Sequence, residues 1–243
     1  MSGPELAGKR IVVAGASSGM GRATALAAAA AGAKLVLFAR RAEALAELEQ
    51  EIVKAGGEAV VVAGDATDPT AAGRAVAAAV TRYGGVDVLV NSVGTNIKQR
   101  SLRDLSAEGW RDLITTNLDA AFVLTQAVLP TFREQCDGLL VHISSSAAKK
   151  ADASGVGYQA SKAGVAALAH ATMEEERANG VRVSVVYPGF TDTPLVQQRP
   201  TPPTPAQLAA ALRPEDVAQV VLTVMSVPNR AYVPELLLYP SRP

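Results

Sequence analysis

Cysteine and tryptophan are what the 243-residue sequence has least of, one residue each. Cys136 stands alone, so no internal disulfide and no cysteine-based metal cluster can form within the chain. A reducing, cytoplasmic setting is expected. Aromatic residues amount to only 4%, so the core must be filled by Ala, Val and Leu, which favours closely packed helices on a sheet. Neither sign of charge is in excess: Lys plus Arg and Asp plus Glu number 23 each, which leaves no electrostatic footprint for nucleic acid or an anionic membrane. An anionic ligand must therefore be held by a local site. The two histidines, His142 in a strand pattern and His170 in a helical one, have no metal-ligand spacing, and no metal site is expected. No apolar run approaches the roughly 20 residues of a membrane span, and Ile11-Val12-Val13-Ala14 behind Lys9-Arg10 is too short for a signal-peptide core.

What the sequence does contain is alternation. Short β-branched runs at 10–14, 34–39, 59–63, 86–91, 138–144, 182–187 and 235–239 read as strands. Ala-rich stretches at 19–31, 42–55, 69–83, 107–136, 156–179 and 214–227 read as helices between them, with glycines such as Gly32, Gly84 and Gly180 placed to end them. Several strands hold few polar residues, as parallel strands covered on both faces do. The expectation is a single doubly wound α/β domain of Rossmann type over residues 1–243, with a seven-stranded, mostly parallel sheet. Eleven of the fourteen prolines fall from Pro188 onward, four of them in the stretch Arg199–Pro205. Too little chain follows to make a second domain, so this stretch reads as a semi-rigid surface loop.

After the first strand comes Ala14-Gly15-Ala16-Ser17-Ser18-Gly19-Met20-Gly21, opening directly into a helix. In this context Gly15 permits a sharp turn, Gly19 lets the backbone approach a pyrophosphate, and Gly21 lets the helix pack closely on the sheet. The free N–H groups of the helix start would hold the negative charge, with Ser17, Ser18 and Met20 in the same loop. The second strand ends in Ala39-Arg40-Arg41, with no acid to accept a ribose 2′-hydroxyl. Guanidinium suits a 2′-phosphate in geometry and charge, so NADP(H) is the expected cofactor, bound mainly through Arg40 with Arg41 beside it. The structural alternative is a pair of solvated arginines opening a helix.

Near the start of the fifth of these helices, Tyr158 and Lys162 stand four residues apart and share a helical face. Alone, such a pair is an ordinary solvated face. As a proton-transfer device it would require the phenol to titrate well below its usual value near 10, which needs roughly 3–4 kcal/mol of preference for phenolate. An ammonium about 4 Å away supplies on the order of 1 kcal/mol in bulk water but about 4 at an effective dielectric near 20. The pair therefore works only in a partly desolvated cleft.

The glycine loop, the Tyr-x3-Lys pair and the strand-helix alternation together resemble the short-chain dehydrogenase/reductase family, in its branch of about 250 residues, from about Gly8 to Asp216. The resemblance implies further roles. Asp65, with Ala66 after it, matches the family's adenine-contacting Asp. Asn91 and Gly94, in Asn91-Ser92-Val93-Gly94, match its Asn-Asn-Ala-Gly in part. Pro188, Gly189, Thr191 and Thr193 fall on its nicotinamide-side motif. Asn117 in "TTNLDA" corresponds to the family's catalytic Asn, and among Ser144, Ser145 and Ser146 the family's thirteen-residue spacing to Tyr158 selects Ser145. The implied chemistry is hydride exchange between NADP(H) and a ketone or secondary alcohol. Tyr158 is the general acid/base, and Ser145 stabilises the carbonyl oxygen. Lys162 lowers the tyrosine pKa and binds the nicotinamide ribose, and Asn117 holds a water that links Lys162 to solvent. The chain departs from the family at Ala14, Ser92 and Val93, which puts local rigidity between the first and fourth strands in doubt. Its hydrophobic, proline-ended C-terminus weakens analogy with fatty-acid-type ketoreductases.

Residues 195–211 occupy the family's lid position, with Gln197, Gln198 and Arg199 as polar content. The stretch is either a lid closing over a modest, mainly apolar substrate or a passive surface loop. Small residues Ala160, Ala163, Gly164, Ala167 and Ala171 suit close packing in a homodimer or homotetramer, as the resemblance implies. A catalytically silent NADP-binding sensor or scaffold is the rival reading, against which the intact Tyr158, Lys162, Ser145 and Asn117 set argues. No nucleic-acid or membrane partner is expected, only a small carbonyl or alcohol substrate.

Overall fold

The computed structural model describes residues 6–241; residues 1–5 and 242–243 of the expected unit lie outside the described residues. Seven strands form one sheet: β1 (Arg10–Ala14), β2 (Lys34–Ala39), β3 (Glu58–Ala63), β4 (Val88–Asn91), β5 (Gly138–Ile143), β6 (Val181–Pro188) and β7 (Glu235–Leu238). Their order is β3-β2-β1-β4-β5-β6-β7, and every pairing is parallel. The sheet is Rossmann-like, with helices on both sides.

The alternation of side chains along each strand builds two cores. Val12, Ala14, Val36, Phe38, Leu89 and Leu140 face one way and meet α3 (Pro69–Tyr83), α5 (Ala120–Gln135) and α6 (Val156–Glu176). Ile11, Val13, Leu35, Leu37, Val90 and Val141 face the other way and meet α1 (Gly19–Ala30), α2 (Ala42–Lys54) and α8 (Pro214–Ser226). Burial on both faces is why these strands read as nearly continuous apolar runs. At about 1.5–3 kcal/mol for each fully buried Val, Leu or Ile, the two layers supply the main drive for folding.

Four local features differ from the sequence expectation, each for a physical reason. β4 begins at Val88, because the main-chain N–H and C=O of Val86 are taken by the side-chain amide of Gln135 at 3.0 and 2.6 Å and not by a neighbouring strand. The continuous helix expected over 107–136 is α4 (Ala107–Ile114) and α5 separated by a π-helical turn, Thr115–Asp119, where the Ala120 N–H bonds to the Thr115 carbonyl five residues back. The whole run 107–135 is also long and apolar enough to cross a bilayer, with a mean hydropathy of 1.2 in its most apolar window, which corrects the expectation that no segment approaches such a span. Its buried residues, among them Val123, Leu124, Val128 and Phe132, pack against the sheet. Within 195–211 a short helix, α7 (Pro205–Ala210), replaces the expected loop; Thr204 caps it and Gln207 returns the bond to the Thr204 N–H. The spelling Thr-Pro-Ala-Gln carries that capping box in the sequence.

Candidate active site

The order of the sheet reverses at β1, with β2 on one side and β4 on the other, and in open α/β sheets ligands bind in the crevice outside the strand ends at such a point. A cavity of about 370 Å³ lies there. The chain reaches it through the turn Gly15–Ser18. Gly15 holds φ 80°, and a Cβ on it would sit 2.8 Å from the Ser92 carbonyl carbon; a Cβ on Gly21 would sit 2.3 Å from the Gly15 oxygen. The turn therefore tolerates no side chain at either place. Ser18, at the N-cap of α1, makes no side-chain cap bond, and the first turn carries no acidic residue, so the helix start faces the cavity with its amides uncommitted by side chains. This is a fitting seat for a dinucleotide pyrophosphate.

Of the residues expected to bind cofactor, Gly15, Ser17, Ser18, Gly19, Met20, Arg40, Arg41, Asp65, Ala66, Gly94 and Thr193 line this cavity. Arg40 is largely exposed and lies 3.9 Å from Asp65, whereas the Arg41 guanidinium donates to the Ser17 carbonyl at 3.0 Å and to its hydroxyl at 3.1 Å. Arg41 is thus the better fixed of the two. Asp65 accepts from both the N–H and the hydroxyl of Thr67 at 2.9 Å, and these bonds, with Arg40, hold its carboxyl below the usual range. Thr95 and Thr116 line the same cavity and were not expected there, since their types carry no signal; Leu195 and Gln198, from the 195–211 stretch, line it too.

Asn91 faces inward. Its carbonyl accepts the Val93 N–H at 3.0 Å, and its amide lies 3.2 Å from Nδ1 of the buried His142, whose Nε2 lies 3.5 Å from Thr125. Burial, with Lys162 adding to it, pushes His142 down to about 4, so the ring is neutral. The Ser92 N–H donates to the Ala14 carbonyl at 2.9 Å, so β1 and β4 remain tied despite the Ala14 and Ser92 departures.

A second, smaller cavity of about 120 Å³ shares Met20, Thr193 and Leu195 with the first. Ser145 and Tyr158 line it together with Pro188, Gly189 and Thr191. Tyr158 and Lys162 lie on the buried face of α6. The Lys162 ammonium donates to the Ile143 carbonyl at 3.2 Å and to the Val93 carbonyl at 3.4 Å, directly behind Gly94: a Cβ there would come within 2.8 Å of Nζ. Asn117, held in the π turn, accepts the Thr95 N–H at 2.7 Å and donates to the Thr95 carbonyl and the Ser161 hydroxyl at 3.1 and 2.9 Å. Lys162, Asn117, Asn91 and Gly21 line neither cavity; they sit one layer behind.

The electrostatics correct one expectation. Burial pushes the Tyr158 phenol above its ordinary value; Ser145, Arg100 and Arg199 act against that shift, and Lys162 is not among the groups that do. Lys162 itself is pushed down by burial to about 8. At neutral pH the phenol is protonated and Lys162 keeps its charge, which leaves Tyr158 in the state a proton donor requires.

The sequence from residue 9 to 203 matches the family model for short chain dehydrogenase. The chain belongs to the short-chain dehydrogenase family. It is an oxidoreductase of this family, whose members use a nicotinamide cofactor and act on small molecules. Among its relatives, a putative ketoacyl reductase 1 of the granaticin polyketide synthase from Streptomyces violaceoruber is 38% identical over 189 residues, 77% of this chain and 69% of the relative. A 3-oxoacyl-[acyl-carrier-protein] reductase from a Synechocystis species is 32% identical over 225 residues, 91% of each chain. A metagenomic short-chain oxidoreductase solved in complex with NADP superposes with a TM-score of 0.83 at 34% identity, covering 98% of this chain and 99% of that one. As a short-chain dehydrogenase the chain keeps ketoacyl reductases among its relatives even though its C-terminal strand departs from the commonest pattern.

Proposed function

We propose that this short-chain dehydrogenase is an NADP(H)-dependent carbonyl reductase or secondary-alcohol dehydrogenase with Tyr158 as its general acid/base. The observation that carries the reading is the placement of Tyr158 and Ser145 together in a small cavity that adjoins the glycine-loop cleft. A nicotinamide bound in that cleft would supply or accept the hydride. Ser145 donates a hydrogen bond to the carbonyl oxygen as negative charge develops, and Tyr158 delivers a proton to that oxygen. Lys162, one layer behind Gly94, is the residue that would hold the nicotinamide ribose, and Asn117 holds the Thr95 backbone that forms the cleft wall. Arg40 and Arg41 give the ribose end two cations and no competing acid at the end of β2, which supports NADP(H) over NAD(H).

The same reading takes the chain as a single catalytic unit with 195–211 as its lid, in a reducing cytoplasmic setting. Ala160, Ala163, Ala167 and Ala171 are exposed along α6 and support a homodimer or homotetramer, whereas Gly164 packs inward on Leu118. Light scattering that gives a lone 25 kDa species at micromolar concentration would refute the oligomer.

The test is a panel of ketones and secondary alcohols followed at the NADPH absorbance band, with NADH in parallel and Tyr158→Phe as the control. Loss of the phenolic proton should cost roughly 10²–10⁴-fold in turnover. A folded Tyr158→Phe protein that keeps more than about a tenth of the rate contradicts the assignment.

A further inference from the structure

The smaller cavity contains a charge pattern that proton transfer does not use. Arg100 and Arg199 both line it with Tyr158, and neither lines the dinucleotide cleft, so neither guanidinium is placed to serve a cofactor phosphate. They come from loops 99 residues apart in sequence and act on each other: burial and the charge of Arg199 push Arg100 below its ordinary value. Arg100 is buried, with Nε donating to the Ile97 carbonyl at 2.8 Å and the guanidinium also donating to the Gln198 carbonyl, the residue just before Arg199. Arg100 thereby fixes the lid backbone and positions its neighbour. The Arg199 guanidinium carbon lies 4.4 Å from the Phe190 ring centroid, a cation–π contact that commits none of its N–H donors to a hydrogen bond. The Arg199 main-chain N–H donates to the Val196 carbonyl at 3.1 Å, and among the described residues its guanidinium makes no hydrogen bond or ion pair. Asp152 is the one acidic residue lining the same cavity, so two positive charges stand against one negative.

Placing like-charged groups together in a partly desolvated pocket is unfavourable unless an anion joins them. We propose that this pocket is a carboxylate subsite, and that the protein's substrate is a short carbonyl compound bearing a carboxylate, an oxo acid or the corresponding hydroxy acid, with Arg199 as the carboxylate ligand and Arg100 as the positioning residue. The proposal rests on the reductase reading above and names its substrate class. The net single positive charge matches a monoanion better than a phosphate dianion, and a planar fork accepts a carboxylate through two parallel N–H donors. The small size of the cavity sets the carboxylate close to the carbonyl held by Tyr158 and Ser145.

The experiment is titration calorimetry on the full chain saturated with oxidised NADP, so that no turnover occurs. The probes are acetoacetate, its methyl ester and dihydroxyacetone phosphate, each run on the natural protein and on Arg199→Gln and Arg199→Lys. The expected result is acid binding at least about tenfold tighter than ester. That ratio should fall below about twofold in Arg199→Gln, recover in part in Arg199→Lys, and shrink in 0.5 M salt as screening predicts. Equal binding of acid and ester, a preference that survives Arg199→Gln, tighter binding of the phosphate, or binding of none of the three overturns the carboxylate subsite. The reductase reading is scored separately, by NADPH oxidation with uncharged ketones and by the Tyr158→Phe control. It can fail while the binding preference stands, or stand while the preference fails.

Discussion

His142 makes a prediction about acid stability that follows from its surroundings. The ring lies fully buried on β5 between Asn91 and Thr125, and protonation would place a charge with no counter-ion beside the Lys162 ammonium. Its folded pKa of about 4 lies below the 6.5 of the free side chain, so between these values the unfolded chain binds more protons than the native one. Stability from this group is therefore present above pH 6.5 and is lost as pH falls towards 4. A gap of about 2.5 units corresponds to about 3 kcal/mol in full, of which about 2 kcal/mol disappears between pH 7 and pH 4.5. Carboxylates titrate in the same range, so the measurement is a difference. Urea unfolding of the natural protein and of His142→Gln is followed at half-unit steps from pH 7 to 4.5, and only the slopes are compared. The variant starts from lower stability through lost packing, but its curve should be flatter by about 2 kcal/mol over that interval. Parallel curves would refute the buried neutral histidine. Because His142 steadies Asn91, and Asn91 holds the Val93 N–H, the same acid range should loosen the wall in front of Lys162.

Gly94→Ala puts a methyl group within 2.8 Å of the Lys162 Nζ, and should weaken NADPH binding by about tenfold or more in equilibrium titration while leaving the far-ultraviolet dichroism unchanged. Arg40→Ala and Arg41→Ala should each weaken NADPH by roughly 10–100-fold, the cost of a charge-assisted phosphate contact, with little effect on NADH; equal losses for both cofactors would reject the 2′-phosphate assignment. The kcat/KM for carbonyl reduction should decline as pH rises through about 8, where Lys162 loses its charge, and a flat profile to pH 9.5 would contradict that assignment. Thr204→Ala removes the cap of α7 and should speed amide exchange at 206–210 by about fivefold, equivalent to about 1 kcal/mol, without altering exchange in the strands.

The strands were legible because each is a brief apolar run closed by glycine or a polar turn, and because burial on both faces leaves little competing polar signal. The glycine loop and the Tyr158/Lys162 pair were legible because their chemistry depends on near neighbours in the chain. What escaped depends on partners far apart in sequence. Arg100 and Arg199 meet in one cavity without any local sign of it. Arg41, and not Arg40, is anchored to Ser17, which rests on the curl of the turn after β2. Asn91 faces the core because His142 and the Val93 amide claim its side chain. Lys162 acts on backbone carbonyls and on His142 more than on the phenol one turn away, because its side chain runs toward β4 and β5.

The π turn at Thr115–Asp119 has a consequence for how this chain can vary over time. An α-helix advances about 100° and 1.5 Å per residue, so the turn amounts to one residue more than the regular spiral accommodates. Deleting a single residue from that stretch would let α4 run into α5 without the π turn, a gain in local regularity. It would also swing Asn117 away from Thr95 and Ser161. Substitutions along the flanking helices leave the count intact, whereas a one-residue gap erases the site. The residue count of this turn, together with the side chain at 117, sets where that amide points.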